Sequence, residues 1–239
     1  MPTPVRPAPP FPCPRIITHL SWFLGLAGLA LTSGACAFTD GHVKLDPLPT
    51  ASAAHGGGGR ELVVFPAVDT RTEQARCGVK RNTYGSETAN VLCTPEPSQW
   101  LSELVLRGLD RAKFKIVTTQ TAHSPDPLRI RLRLDHLFID QIPGMLTVTL
   151  HADVHVIVSA ENSAGLVAER SFLVQTDSQV AGVLDSGLQD AMDQATQRLA
   201  DRVVDAVLAL SKRYPSAEAA AAAAANGSRT VLATREVQP

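Results

Sequence analysis

Two consecutive segments between residues 127 and 158 alternate apolar and polar residues almost without interruption. In "LRIRLRLDHLF" the apolar residues alternate with arginine and aspartate, and in "LTVTLHADVHVIV" they alternate with threonine, histidine and aspartate. Such alternation predicts two strands with one buried face and one solvated face. Pro143 and Gly144 between them predict a turn. The connection is too short for a helical crossover, so we expect an antiparallel pair.

Helical patterns lie on both sides of these strands. The segment "PSQWLSELVLRGLDRAKF" is amphipathic, and a longer amphipathic pattern runs from about Val183 to Arg213. Further strands are predicted in "ELVVFPAVDTR", which begins at Glu61, and in "LVAERSFLVQT". The apolar stripe of each helix must pack on another element, and the apolar face of the sheet is available. The sequence therefore predicts an α+β fold: a small antiparallel sheet packed by one or two amphipathic helices, including a long C-terminal helix.

Composition divides the 239 residues into four segments. Residues 1–35 combine arginines, the apolar run "IITHLSWFLGLAGLAL" and small residues at the end, which is the anatomy of a signal peptide. Residues 36–60 are rich in small residues and proline and end in four glycines, which predicts a flexible tether with a typical reach of about 25–30 Å. Residues 61–214 are predicted to form a single α+β domain. Residues 215–239 are alanine-rich and predicted to be disordered.

The stretch "LTSGAC" places small residues immediately before Cys36. This arrangement resembles a bacterial lipobox, in which the cysteine thiol receives a diacylglycerol, although Ser33 stands where a lipobox usually carries leucine. Ser-Gly-Ala also fits ordinary signal cleavage, which would leave Cys36 as an unmodified N-terminus. Both interpretations place the cut at the same bond, and the motif itself leaves both open.

The cysteine count favours a lipid on Cys36. Cys13 lies in the signal segment, so a modified Cys36 leaves Cys77 and Cys93 as an even pair. In an oxidising compartment such a pair predicts a disulfide. A zinc site is the alternative, but no CxxC or HxxxH spacing accompanies either cysteine.

His151, Asp153 and His155 occupy alternate positions on the solvated face of the second strand. Side chains at such positions can converge on a metal ion, and imidazole and carboxylate are ligands of zinc or copper. This trio is therefore the weak candidate for a metal site in the chain. Arginines on the neighbouring strand would repel a divalent cation, which favours a structural interpretation.

The structural interpretation is a set of charge pairs across the hairpin. A turn centred on Pro143 would place Arg133 opposite Asp153, and Asp135 opposite His151. Opposite charges that face each other across two strands stabilise a sheet by about 0.2–1 kcal/mol per pair. We expect this pairing, rather than metal binding, to account for the pattern.

Other function classes find little support. The chain has no G-x-S-x-G, no phosphate-binding loop and no Cys/His pair with nucleophile-like spacing. Asp69 and Arg71 in "VDTR" predict an ion pair or a turn with a structural role. A net charge of −1 supplies no global field for nucleic acid. We therefore predict a protein that is not an enzyme, needs no cofactor and binds no nucleic acid.

The order of several segments resembles the YajG family of bacterial envelope lipoproteins. The similar segments span about Cys36 to Tyr214 and are the lipobox-like cysteine, "FTDGHVKLDPLP", the glycine run, "VVFPAVDTR", "NTYGSETANV" and "LSELVLRGLDRAKFKIV". The resemblance implies a small antiparallel sheet backed by helices, with no catalytic residue. Only Cys36 carries over, as the lipid anchor. Ala37 stands where inner-membrane retention usually requires aspartate, which implies the periplasmic face of the outer membrane.

These observations predict a membrane-anchored envelope lipoprotein with an accessory or binding role. Its expected partners are the membrane, through the anchor, and an envelope protein or a lipid-transport assembly. The alternative is a lipid or small-molecule carrier, or an auxiliary component of a lipid or lipopolysaccharide transport system. A metal-dependent enzyme is the third hypothesis. A deep apolar pocket between sheet and long helix would favour a carrier, whereas an exposed apolar patch would favour partner binding.

Overall fold

The computed structural model describes residues 38–47, 55–124, 126–144, 147–163, 165–180 and 185–214. The predicted signal peptide, Cys36, the middle of the predicted tether and the alanine-rich tail lie outside these ranges. Within them, no helix combines the length and the apolar character needed to cross a bilayer.

The three longest strands form an antiparallel meander. They are β7 (Leu128–Pro143), β8 (Val148–Asn162) and β9 (Gly165–Val180). In β7 and β8 the alternating apolar residues are buried on one face, and the polar residues between them lie on the other. The predicted antiparallel hairpin is therefore confirmed. The chain reverses over residues 144–147, where the Gly144 N–H donates to the Thr147 carbonyl.

The register of the hairpin differs from the predicted one. Pro143 is the last paired residue of β7 and lies opposite Val148, so the turn follows it instead of being centred on it. As a result, Arg133 lies opposite Ile157 and not opposite Asp153. The predicted charge pair at this position was wrong because the strand continues to the proline, which is accepted at the end of a strand where its missing N–H has no ladder role.

A β-bulge in β7 causes a second difference. The register shifts between Leu134 and His136, so that Asp135 has no direct partner on β8. His151 consequently lies opposite Asp140 and not opposite Asp135. The extra residue lets β7 keep its apolar side chains on one face before and after the shift. These buried residues are Leu132, Leu134, Leu137 and Ile139.

Among the described residues, six shorter strands complete a nine-stranded sheet around β7. They are β1 (Gly41–Lys44), β2 (Glu61–Val64), β3 (Val68–Asp69), β4 (Gly78–Arg81), β5 (Glu87–Thr94) and β6 (Lys115–Val117). β2, β3 and β4 pair in parallel with successive parts of β7. β6 adds to β2, while β5 and then β1 add beyond β4. The sheet is thus larger than predicted and includes parallel pairs beside the antiparallel meander.

Both helices of the described chain pack on the buried face of this sheet. α1 spans Pro97–Arg111 and α2 spans Asp185–Arg213. The helices meet at Gly108, where a Cβ would lie 2.7 Å from Val204 Cγ2. The predicted α+β fold with a long C-terminal helix is confirmed. Its core includes the buried residues Trp100, Leu104, Val154, Leu188 and Leu199.

The predicted flexible tether is folded at its N-terminal end. β1 pairs in parallel with β5 from Gly41 to Lys44, and the side chains of Val43 and Leu45 are buried. The sequence did not predict β1 because four residues are too few to show a clear alternation of apolar and polar side chains. The proline, serine and alanine around it suggested a flexible segment instead. The folded domain therefore starts about twenty residues before the predicted boundary at Glu61.

The glycine run at the other end of the predicted tether binds the end of α1. The N–H groups of Gly56 and Gly57 donate to the Ala112 carbonyl, and the N–H of Gly59 donates to the Lys113 carbonyl. These bonds satisfy carbonyls that the end of a helix leaves without a partner. A Cβ on Gly57 would lie 2.7 Å from the carbonyl carbon of Lys113. Only glycine allows this approach, so the run is a packed segment and not a spacer.

Side chains of α2 bind the backbone of two outer strands of the sheet, β1 and β9. The N–H of Lys44 in β1 donates to Gln189 Oε1 over 2.9 Å, and Gln189 Nε2 donates to the Lys44 carbonyl over 2.7 Å. Arg198 and Arg202 donate to two carbonyls of β9. Unpaired backbone groups on a terminal strand invite pairing with other chains. α2 therefore covers the sheet along its face and at two of its margins.

Candidate functional site

The outward surface of β7, β8 and β9, here called the open face, lies on the side of the sheet opposite the two helices. Large aliphatic side chains are exposed on it and on the adjoining strand β3, from 48% for Ile142 to 61% for Leu166. Each of them lies opposite a polar residue of a neighbouring strand. Contiguous exposed apolar patches mark contact surfaces; here the aliphatic residues share one face and polar residues separate them. The residues are Val68, Ile142, Leu166 and Leu173.

The centre of the open face contains a histidine held between two carboxylates. Nδ1 of His151 contacts Asp177 on β9, and its Nε2 lies 3.1 Å from Oδ2 of Asp153 on its own strand. The hydrogen bond to Asp177 is the main reason that the pKa of His151 is raised. Protonated His151 therefore stabilises the folded state. This contribution is complete below the ordinary histidine pKa of about 6.5, and it is lost as pH rises through the raised pKa of His151.

His155, the third member of the predicted metal trio, has a different partner. Its Nε2 lies 2.6 Å from Oγ of Ser171 on β9. The structure therefore brings His151 and Asp153 together, while His155 binds Ser171 and not this pair. Across the described ranges, no group of three His, Cys, Asp or Glu side chains is arranged to hold a metal ion. The chemistry that this arrangement supports is hydrogen bonding between strands.

Two arginines of β7, Arg131 and Arg133, are paired with acidic or aromatic groups. Nε of Arg131 lies 2.8 Å from Oε1 of Glu161, and its guanidinium stacks over the Phe65 ring at 4.4 Å. Nε of Arg133 lies 2.7 Å from Oδ1 of Asp135. The hydrogen bond from Arg133 is the main cause of the lowered pKa of Asp135. The charges of Arg131 and Arg133 thus have partners within the protein itself, without any bound molecule on the open face.

The predicted disulfide is present next to the sheet margin. Cys77 and Cys93 are bonded, with their Cα atoms 5.8 Å apart. Cys77 directly precedes β4 and is buried, while Cys93 lies in β5. The bond therefore reinforces an antiparallel strand pair that also holds β1 in place.

The predicted ion pair in "VDTR" is confirmed and is buried. The guanidinium of Arg71 binds the Asp69 carboxylate through two nitrogens, at 3.0 and 2.8 Å, and both side chains are less than one-tenth exposed. Arg71 Nη1 also donates to the carbonyls of Arg76 and Leu137. The pair fixes the connection between β3 and β4, so its role is structural.

A cleft of about 250 Å³ lies at one end of the sheet. Within it, Glu61 Oε1 lies 2.8 Å from Lys115 Nζ, and Glu61 Oε2 accepts the backbone N–H groups of His123 and Ser124. The bond from Lys115 is the main reason that the pKa of Glu61 is lowered to about 2. The carboxylate is therefore fully engaged in holding β2, β6 and the following loop together.

The layer between the sheet and α2 is filled by side chains. Residues from both sides of this layer are less than 2% exposed. The cleft beside Glu61 lies at the end of the layer, where Ser211 and Tyr214 face Leu62 and Leu128. This packing gives no support to a carrier with a ligand in that layer. The filling residues include Leu150, Ala152, Val154, Leu188, Ala195 and Leu199.

Sequence reasoning missed the contribution of β9 to the open face. Asp177 and Ser171, which bind the two histidines, come from this strand, and so does the exposed Leu173. The strand was predicted in outline, but its exposed residues do not alternate cleanly. The signal that could have found them is the antiparallel order itself, which places β9 beside the histidines of β8.

Comparison with known proteins gives similarity at the level of fold. No family model and no curated protein matches the chain. Among solved structures, protein XCC0632 from Xanthomonas campestris, a DUF330 protein, aligns with a TM-score of 0.51 at 15% identity, covering 73% of this chain and 97% of that one. The chain shares its fold. An uncharacterized protein aligns with a TM-score of 0.42 at 12% identity, covering 71% and 99% of the two chains. A neuraminyllactose-binding hemagglutinin homolog from Helicobacter pylori aligns with a TM-score of 0.35 at 7% identity, covering 66% and 90%.

Proposed function

We propose that this protein is a non-enzymatic envelope lipoprotein that docks a protein partner on the open face. The observation that carries the proposal is the location of the exposed aliphatic residues. Ile142, Leu166 and Leu173 lie on this face, and Val68 extends it onto β3. The helix-covered face offers no such surface, because its apolar residues are already buried in the core.

The charges on the open face favour docking for a second reason. Covering an unpaired charge is costly, whereas a charge that already has a partner loses less when water is removed. Arg131 is paired with Glu161, and Arg133 with Asp135, within the face itself. A partner can therefore cover these two arginines without supplying a counter-charge for either. An envelope protein, alone or within a lipid-transport assembly, is the partner that the sequence favours.

Site-specific photocrosslinking tests the docking proposal. A photoreactive phenylalanine analogue at Leu173 is expected to give one dominant adduct with an envelope protein in intact cells, since Leu173 is 51% exposed on the face. The same analogue at Tyr84, which is 92% exposed in the turn before β5, is the matched control and should give no such adduct. Equal adduct patterns from both positions, or none from Leu173, would contradict the proposal.

The anchor in this proposal is a lipid on Cys36, at the periplasmic face of the outer membrane. Metabolic labelling with an alkyne palmitate should mark the wild-type protein and leave Cys36→Ser unlabelled, because the thiol is the acceptor of the lipid. Several acyl chains hold a protein on a membrane essentially permanently, at about 0.8 kcal/mol per buried methylene. The substituted protein should accordingly leave the membrane fraction. Label retained on Cys36→Ser would show that the cysteine is not the acceptor.

A further inference from the structure

Phe38 has a large aromatic side chain that the fold leaves uncovered. The side chain belongs to a residue that is 69% exposed. It lies just before β1, whose own apolar residue Val43 is only 1% exposed. With 69% of its surface exposed, Phe38 contributes little to the core. The exposed part of the Phe38 ring is therefore available for contact with a group outside the domain.

Covalent geometry limits where Phe38 can lie with respect to Cys36. Consecutive Cα atoms are about 3.8 Å apart, so the Cα atoms of Phe38 and Cys36 are at most about 7.6 Å apart in any conformation. On its other side, Phe38 is tied to the folded domain. Asp40 accepts the backbone N–H of Asn90 at 2.9 Å, and Gly41 begins β1.

We propose that Phe38 inserts into the headgroup region of the membrane that holds Cys36. This inference rests on the lipid anchor proposed above. A bilayer is about 40–45 Å thick with a hydrocarbon core of about 30 Å, which leaves a polar layer of about 5–8 Å on each side. A residue within this distance of Cys36 can therefore lie inside that layer.

The chemistry of the side chain agrees with this location. Amphipathic surfaces that carry phenylalanine or leucine bury these residues at the boundary between headgroups and acyl chains. A lipid surface is the partner that the chain itself brings to Phe38, because the acylated residue is two positions away. The inserted ring and the acyl chains then make two separate contacts with the bilayer. Two contacts orient the domain with the start of β1 towards the membrane, whereas a single anchor would let it rotate.

Tryptophan fluorescence in vesicles tests the insertion. The acylated mature protein carrying Phe38→Trp is placed in vesicles of phosphatidylethanolamine and phosphatidylglycerol, with or without bromine on the acyl chains. Bromine quenches indoles that reach the acyl boundary, so the emission from position 38 should fall about twofold or more, as expected for an aromatic ring at the interface. Trp100 is fully buried in the core and supplies a constant background.

Tyr84→Trp in the same acylated protein is the matched control, because Tyr84 is 92% exposed and lies in the β4–β5 turn. Its emission should not depend on bromine. Acylated Phe38→Trp that is quenched no more than Tyr84→Trp would overturn the insertion while leaving the anchor intact. A mature protein whose mass shows no acyl chains would overturn the anchor, and with it this inference. Mass spectrometry of the same sample separates the two failures.

Discussion

Asp69→Ala should lower the free energy of unfolding by about 3 kcal/mol, within the range of about 3–5 kcal/mol for breaking a buried ion pair. The substitution leaves the guanidinium of Arg71 buried without its carboxylate, and burying an uncompensated charge is costly. We expect the lower end of the range, because the carbonyls of Arg76 and Leu137 continue to accept from Arg71. Urea unfolding followed by circular dichroism measures the effect.

The matched control for this prediction is Glu103→Ala. Glu103 pairs with Arg107 one helical turn away, at 3.5 Å, and both side chains are more than one-third exposed. Exposed pairs of this kind contribute about 0.3–0.5 kcal/mol. A loss after Asp69→Ala no larger than that of the control would show that Arg71 does not depend on the carboxylate.

Replacing both bonded cysteines, as Cys77→Ala with Cys93→Ala, should cost about 3 kcal/mol of unfolding free energy. Cross-linking two positions 16 residues apart restricts the unfolded chain, and the chain-entropy model gives about 3 kcal/mol for a loop of this size. The loss should be seen as a lower urea midpoint for the double variant than for the oxidised wild type.

Reductant supplies the internal control for the cysteine variant. Dithiothreitol should lower the midpoint of the wild type towards that of the double variant, and it should leave the double variant unchanged. A wild-type midpoint that does not respond to reductant, after mass spectrometry has confirmed two free thiols, would contradict a stabilising role for the bond.

The faces of the long strands could be predicted from sequence, whereas their register could not. Alternation assigned Leu132 and Leu134 to the buried face correctly, because the side-chain period of a strand is two. The bulge at Asp135 moves the buried phase from even to odd positions, so that Leu137 and Ile139 are buried next. That change of phase is visible in the sequence. The pairing partners on β8 cannot be read from the sequence, because they depend on where the turn begins.

The candidate site could be predicted only from the residues that are close in sequence. His151 and Asp153 were recognised because they alternate on one strand, and they do contact each other. Their neighbour Asp177 lies 26 positions away and enters only when β9 pairs with β8. The parallel pairs of β2, β3 and β4 with β7 were missed for a related reason. Each of these strands is too short to show its pairing direction by composition.

The binding of two terminal strands, β1 and β9, by α2 has a consequence for the order in which the chain folds. A polypeptide that is made or exported from its N-terminus presents β1 first and β9 later, while α2 emerges last. Until Gln189 has emerged, Lys44 lacks the side chain that binds its backbone, and β9 likewise awaits Arg198 and Arg202. Terminal strands with open backbone groups are prone to pair with other chains. α2 thus completes the binding of these two strands, and a chain interrupted before α2 would leave the backbone groups of both strands open.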